Sequence, residues 1–321
     1  MMLDSMSLEE MKSYRGQDEV PTDFAEFWQK ELKKVKLEEV SYQLQRKTTT
    51  SEVAECYELR FISHDQSEIY SKVLFPKGVK ECPVMFLFHG YQGQSPDWSE
   101  ALKFVAEGVG VVMMDVRGQA GKSTDYSQSK GNTVRGHIIR GMTEGPEELL
   151  YRHVYLDIYI LVQLVASMSR VNRQRLYSYG ESQGGALALV ASGLNPEISQ
   201  TFAVYPFLAD FKRVLSLKYD TDAYSELHRY FKFQDPFYET AETIFNTLSY
   251  IDVKNFAHLI KAEVTMLCGL QDDVCPPSTQ YAIYNRLEKT KKMLIMPEYG
   301  HEGMYVGYPD LVFSWATGVT I

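Results

Sequence analysis

Short apolar runs alternate along this chain with stretches of helical periodicity, and that alternation leaves few folds open. Residues 53–62 and 68–75 flank the polar turn Ser63-His64-Asp65-Gln66 and read as a hairpin. Six more strand-like runs follow at 82–88, 110–115, 175–179, 201–205, 264–268 and 292–296. Several are continuously apolar, as strands covered on both faces are. Between them, Leu150, Val154, Ile158, Leu161 and Val165 mark a helix over 147–168. A second helix over 183–192 stops at Gly193-Leu194-Asn195-Pro196. The pattern predicts an α/β fold: a mostly parallel, eight-stranded sheet with helices on both faces. At 321 residues the chain is one large domain or a domain with a sizeable insertion.

Residues 1–35 read as a polar lead-in arm followed by a helix. Asp23 is placed to cap that helix, with Glu26 as the return partner. Phe24, Phe27, Trp28, Leu32 and Val35 form its apolar stripe. Residues 207–262 break the alternation. They hold no clear strand, and twelve of the 56 positions are Phe or Tyr. Such a segment following a sheet strand reads as a cap over a site, or as a helical appendage or subunit contact.

A net charge of −9 argues against nucleic acid or an anionic membrane as the main partner. No run reaches the ~18 apolar residues of a membrane span. The opening residues do not read as a signal peptide. Four cysteines without a CxxC or a histidine-rich cluster predict reduced thiols and no structural zinc. The expected location is the cytoplasm.

Chemistry enters at Gly180-Glu181-Ser182-Gln183-Gly184. This G-x-S-x-G run leaves a strand and opens a helix, so the turn must hold Ser182 in a strained backbone conformation at a helix N-terminus. Ser182 is therefore the candidate nucleophile. His301, on the loop leaving the last strand, is the candidate base; His89 is a rival better suited to holding its loop. The acid is expected after the preceding strand, at Asp272 or Asp273, and spacing alone does not separate them. Asp210 reads as structural. The oxyanion donors are expected to be the backbone N–H of Gln183 and one from the glycine-containing loop Phe88-His89-Gly90-Tyr91-Gln92-Gly93, where Tyr91 is well placed. Asp115 and Arg117 read as loop anchors. Arg140 and Arg152 are expected to pair with carboxylates such as Asp157. Residues 289–292 read as a solvated face, and Cys275 has no base partner in sequence.

At these residues the chain resembles the α/β-hydrolase superfamily. More narrowly, it resembles the acetyl xylan esterase / cephalosporin C deacetylase family, carbohydrate esterase family seven. The likeness runs from Pro21-Thr22-Asp23-Phe24 through His89-Gly90-Tyr91, Asp115-Val116-Arg117-Gly118-Gln119 and Arg140-Gly141. It continues through Gly180-Glu181-Ser182-Gln183-Gly184-Gly185, Tyr205-Pro206-Phe207-Leu208, Gly269-Leu270-Gln271-Asp272, Cys275-Pro276-Pro277-Ser278-Thr279 and Gly300-His301-Glu302. It departs at Ala120, where the family usually has glycine. The resemblance implies a single α/β-hydrolase domain over 1–321, Asp272 as the acid, and Tyr91 and Gln183 as oxyanion amides. It also implies a cytoplasmic homohexamer whose sites face an internal cavity that admits small acetylated sugars.

The expected activity is removal of acetyl groups from xylo-oligosaccharides, and from cephalosporin C, through an acetyl-enzyme. It calls for no metal and no organic cofactor. Aromatic residues, Tyr91 and Phe207 among them, are expected to wall a small acyl pocket. The competing readings are a general short-chain carboxylesterase, a serine peptidase (disfavoured because no propeller repeats are present) and a non-catalytic hydrolase-fold binding protein.

Overall fold

The computed structural model describes residues 4–130, 136–218, 223–303 and 307–321. Among the described residues nine strands form one sheet: β1 Tyr42–Lys47, β2 Ala54–Ile62, β3 Glu68–Pro76, β4 Cys82–Phe88, β5 Gly110–Met114, β6 Val171–Glu181, β7 Ile198–Val204, β8 Glu263–Gly269 and β9 Lys291–Met296. Their spatial order is β1-β2-β3-β5-β4-β6-β7-β8-β9. The first three strands and the β3–β5 pair are antiparallel, and every pairing from β5 to β9 is parallel.

The sheet has one strand more than the eight expected from sequence. The addition is β1, whose six residues are all exposed, so it carries no buried-face alternation to read. It is an edge strand with Arg46 and Lys47 at its end, a composition that discourages pairing with another chain.

The helices are α1 Leu8–Met11, α2 Phe24–Lys34, α3 Trp98–Ala106, α4 Leu150–Ala166, α5 Gln183–Leu194, α6 Phe211–Leu217, α7 Ser225–Phe233, α8 Ala241–Leu248, α9 Pro277–Tyr284 and α10 Tyr308–Thr317. Among the described residues none is long and apolar enough to cross a membrane. The α2 stripe is buried as its spacing requires: Trp28 packs on Tyr155 of α4 and on Phe256, with ring centroids 5.7 and 5.2 Å away. Asp23 precedes α2 but makes no side-chain cap; its carboxylate instead accepts the Tyr250 hydroxyl at 2.6 Å. The lead-in arm is clamped down, since Asp4 takes hydrogen bonds from Arg213 and from the Ser278 amide.

The described part of 207–262 forms α6, α7, α8 and two 3-10 turns, with no strand. Its aromatic residues turn inward in part: Phe207, Phe211, Tyr224 and Phe256 are buried, while Phe233, Phe237 and Tyr238 are exposed. Residues 219–222 of this stretch lie outside the described residues.

Strand β4 has β5 on one side and β6 on the other. The chain order therefore reverses at β4, and the loops leaving the carboxyl ends of β4 and β6 part to leave a crevice. Open α/β sheets bind ligands at such a switch point.

Candidate active site

Ser182 lies between β6 and α5 with φ 55° and ψ −119°, a conformation that side chains rarely adopt. The turn is held by the Ser182 amide on the Val204 carbonyl (2.9 Å) and by the Phe207 amide on the Ser182 carbonyl (3.1 Å). Glycine is required around it by close backbone approach. A Cβ on Gly180 would lie 2.3 Å from the Gly184 carbonyl carbon, and one on Gly184 would lie 2.0 Å from the Phe88 oxygen.

The three scattered side chains singled out in the sequence come together. His301 Nε2 is 2.9 Å from Ser182 Oγ. His301 Nδ1 is 3.0 and 3.2 Å from the two Asp272 carboxylate oxygens. Asp272 is 0% exposed, whereas Asp273 faces solvent. The Asp272 carboxylate also accepts the amides of Val274 (2.9 Å) and Cys275 (2.7 Å) and the Gln280 amide group (3.3 Å). Burial lifts its carboxyl above the ordinary range, against the opposing pull of His301 and the two amides.

The rival histidine and the other acid sit elsewhere. His89 Nε2 accepts the Val116 amide at 3.0 Å and its Nδ1 donates to the Gly90 carbonyl at 2.8 Å. Burial holds its pKa down, so it stays neutral and ties two loops together. Asp210 is buried and accepts the Tyr14 hydroxyl at 2.6 Å.

Gln183 is the first residue of α5, so its amide has no acceptor within the helix. Its side chain is pinned by Tyr151 (2.9 Å) and by Gln119 (2.6 Å). Tyr91 borders the site, and its hydroxyl donates to His137 Nδ1 at 3.0 Å; His137 Nε2 donates to the Gly118 carbonyl, which fixes the tautomer. Phe207 does not border the cavity. It is 0% exposed and packs behind Tyr91, 5.7 Å between ring centroids. The cavity in front of Ser182 holds about 430 Å³ and is bordered by Tyr91, Glu181, Tyr205, Ala223, Val274 and His301. That size suits a small ligand.

Tyr205 and Glu181 lie within motifs that carry the family resemblance, but the sequence reading gives neither a role of its own. Tyr205, with φ 31°, lays its ring 4.5 Å from that of His301, and its hydroxyl donates to Glu181 at 2.9 Å.

Among the described residues, two groups bring three metal-type donor atoms within 4.8 Å. Asp272, Cys275 and His301 form one, but the carboxylate and imidazole are engaged with each other, and burial drives the Cys275 thiol well above its ordinary pKa. His64, Asp65 and His153 form the other, where Arg152 Nη1 stands 3.1 and 3.3 Å from the two imidazole nitrogens and already supplies the cation. Neither set fits a metal ion.

Arg117 is fully buried against Asp157 and Asp65. Arg152 pairs with a carboxylate, as expected, but the partner is Glu31 on α2 rather than Asp157, because residues five apart on a helix face different ways. Arg140 lies 3.6 Å from Asp125. Lys291 is not simply solvated: its ammonium donates to the carbonyls of Tyr284 and Leu287.

A reversed strand order at β4, with a strained serine on the β6–α5 turn, defines an α/β-hydrolase. Residues 1–319 match the acetyl xylan esterase (AXE1) family, and the chain belongs to it. Acetyl xylan esterase 1 from Thermoanaerobacterium sp. JW/SL YS485 superposes with a TM-score of 0.94 at 39% identity, covering 98% of this chain and 99% of that one. Acetyl xylan esterase from Paenibacillus sp. R4 gives 0.89 at 32% identity, covering 93% and 95%. Acetyl esterase Axe7A of Xylanibacter ruminicola is 28% identical over 283 residues, which is 86% of this chain; the match spans 62% of that relative's length. An acylaminoacyl peptidase from Pyrococcus horikoshii, with a TM-score of 0.57 at 15% identity, shares the fold alone.

Proposed function

We propose that this protein is a serine esterase that removes acetyl groups from small acetylated carbohydrates such as xylo-oligosaccharides. The observation that carries the reading is the 2.9 Å contact between His301 Nε2 and Ser182 Oγ, with buried Asp272 behind the same imidazole. Family membership supplies the substrate class.

In this reading Ser182 Oγ attacks the acetyl carbonyl while His301 Nε2 takes its proton. Asp272 holds the imidazole with Nε2 facing the serine and stabilises the imidazolium. The amides of Tyr91 and Gln183 stabilise the oxyanion. His301 then protonates the departing sugar hydroxyl, and a water deprotonated by the same imidazole hydrolyses the acetyl-enzyme. Phe207 backs the Tyr91 wall. Residues 207–262 act as a cap, and Ala223 at the cavity edge supports that role. Cephalosporin C is a second acetyl ester for the same site. The family resemblance supports a homohexamer and a cytoplasmic location, which sizing chromatography and cell fractionation test.

The deciding experiment labels the protein with a fluorophosphonate and assays acetylated xylo-oligosaccharides, p-nitrophenyl esters of increasing chain length and cephalosporin C. Labelling that Ser182→Ala abolishes, with acetyl turned over faster than octanoyl esters, is expected. No labelling would leave a binding protein, and a preference for octanoyl would leave a general carboxylesterase.

A further inference from the structure

One carboxylate beside the nucleophile gathers three tyrosine hydroxyls from three parts of the chain. Glu181 Oε1 accepts Tyr179 of β6 at 2.9 Å and Tyr308 of α10 at 2.7 Å. Glu181 Oε2 accepts Tyr205, which follows β7, at 2.9 Å. The three tyrosines are 9%, 8% and 4% exposed. Burial, then the nearby Glu181 charge, keeps the Tyr205 phenol far above its ordinary pKa, so it remains a donor at any working pH. A solvated surface carboxylate needs no such cradle. Three buried hydroxyls directed at one side chain fix its position, and each hydrogen bond to a charged group contributes more than a neutral one.

What this cradle controls follows from its neighbours. The hydrogen bond that His301 Nε2 accepts from Ser182 and the one Nδ1 donates to Asp272 set the rotation of the imidazole, but they resist tipping of the ring only weakly. The Tyr205 ring stands against that imidazole, 4.5 Å between centroids at 51°. Tyr205 itself holds an unfavourable positive φ, so its placement has to be imposed by contacts. Tyr308 begins α10 seven residues after His301, so its hydrogen bond anchors the start of that helix.

Resting on the esterase reading above, we propose that Glu181 is a positioning residue. Through the Tyr205 hydroxyl it holds a ring against His301, and through Tyr308 it anchors the start of α10. Glu181 directly precedes Ser182, so one carboxylate couples the nucleophile turn to the base.

The test compares Glu181→Ala, Glu181→Gln, Tyr205→Phe and the double variant Glu181→Ala/Tyr205→Phe in the full chain. Kinetics use p-nitrophenyl acetate, and histidine-selective 13C/15N NMR reads the His301 ring directly. Glu181→Ala is expected to lower kcat about 10- to 100-fold, the cost of a small misplacement. KM should stay within about twofold, because substrate binding is not what is lost. Gln keeps the length and an acceptor, so Glu181→Gln should recover most of the loss. The double variant should be no worse than the poorer single one, because both act along one path. His301 ring signals should move while those of distant His258 stay.

Full kcat in a folded Glu181→Ala, additive losses in the double variant, or an unmoved His301 ring would each overturn the proposal. Should Glu181→Ala fail to fold, Glu181→Gln and Tyr205→Phe carry the same comparison. If the parent protein neither hydrolyses esters nor takes a fluorophosphonate, it is the esterase reading that fails, and the NMR comparison still decides whether Glu181 positions His301.

Discussion

Arg117 grips Asp157 through two hydrogen bonds, 2.6 Å from Nε and 2.7 Å from Nη2, and the two residues are 0% and 1% exposed. The same guanidinium holds Asp65 on the hairpin turn, so α4, the β2–β3 turn and the segment after β5 meet at one cation. Removing the cation alone leaves two carboxylates without their partner. Arg117→Met should therefore cost about 3–5 kcal/mol of unfolding free energy in urea. Arg117→Met/Asp157→Leu should recover part of that loss, because the buried charge goes with its partner. A loss within about 1 kcal/mol for the single variant would show that water or another group takes over.

The neighbouring imidazoles make stability depend on pH. His64 Nε2 and His153 Nδ1 lie 2.8 Å apart. Burial, then the Arg152 charge, pushes His64 down to about 4 and His153 to about 3. The unfolded chain protonates both near 6.5, so it binds more protons than the folded chain as pH falls below that value. The associated stability is complete above pH 6.5 and is lost progressively as the pH drops toward 4 and then 3. Thermal melts between pH 7 and 4.5 should show Tm falling. His64→Gln/His153→Gln should start lower at pH 7 but fall less steeply. Parallel slopes would assign the acid sensitivity to carboxylates instead.

The parts of this molecule legible in the sequence are those encoded locally. G-x-S-x-G between a strand and a helix is a five-residue signal, and the loops carrying Asp272 and His301 follow apolar runs that could be counted. What escaped was set by distant contacts or by exposure. Strand β1 is wholly exposed, so its sequence shows no alternation. Asp23 looked like a cap, but Tyr250, 227 positions away, takes its carboxylate. Spacing leaves Asp272 and Asp273 open and the family resemblance points to Asp272; the physical difference between them, burial of Asp272, is one that spacing does not report. The Glu181 cradle draws on residues 179, 205 and 308, and no local pattern joins them.

Helix α5 holds glycines with opposite tolerance. Gly184 meets the Phe88 oxygen at 2.0 Å from where a Cβ would stand, and that neighbour is strand backbone that cannot turn aside. Gly193 faces Phe256, with side-chain atoms at 3.3 and 3.4 Å and the carbonyl oxygen at 3.6 Å, an ordinary contact distance. Gly184→Ala should cost about 3 kcal/mol, the upper range for overpacking, and displace the adjoining Gln183 amide. Gly193→Ala should stay within about 1 kcal/mol of the parent, since better helix propensity offsets a tight contact. Urea melts of the two proteins compare them directly.

Strain at Ser182 predicts that function costs stability. Its φ of 55° is open to glycine and unfavourable to any residue with a Cβ. Ser182→Gly and Ser182→Ala should both be inactive, but only glycine relieves the strain. Strain of about 1–3 kcal/mol less glycine's entropic disadvantage leaves about 1 kcal/mol in favour of Ser182→Gly. That difference should appear as a Tm about 2 °C above that of Ser182→Ala. Equal melting points would mean that the turn is not strained in solution.

The two adjacent aspartates give the sharpest test of the triad assignment. Asp272 is buried and accepts His301 Nδ1, so its charge fixes the tautomer with Nε2 facing Ser182. An amide at that position could donate to Nδ1 and stabilise the opposite tautomer, with no pull on the imidazolium. Asp272→Asn should lower kcat by about 10⁴ with the fold intact. Asp273 faces solvent, so Asp273→Asn should leave kcat within about twofold of the parent. Steady-state kinetics on p-nitrophenyl acetate measure both, and circular dichroism checks the fold. Comparable losses at the two positions, or a larger one at Asp273, would move the acid from Asp272 and with it the orientation of the base.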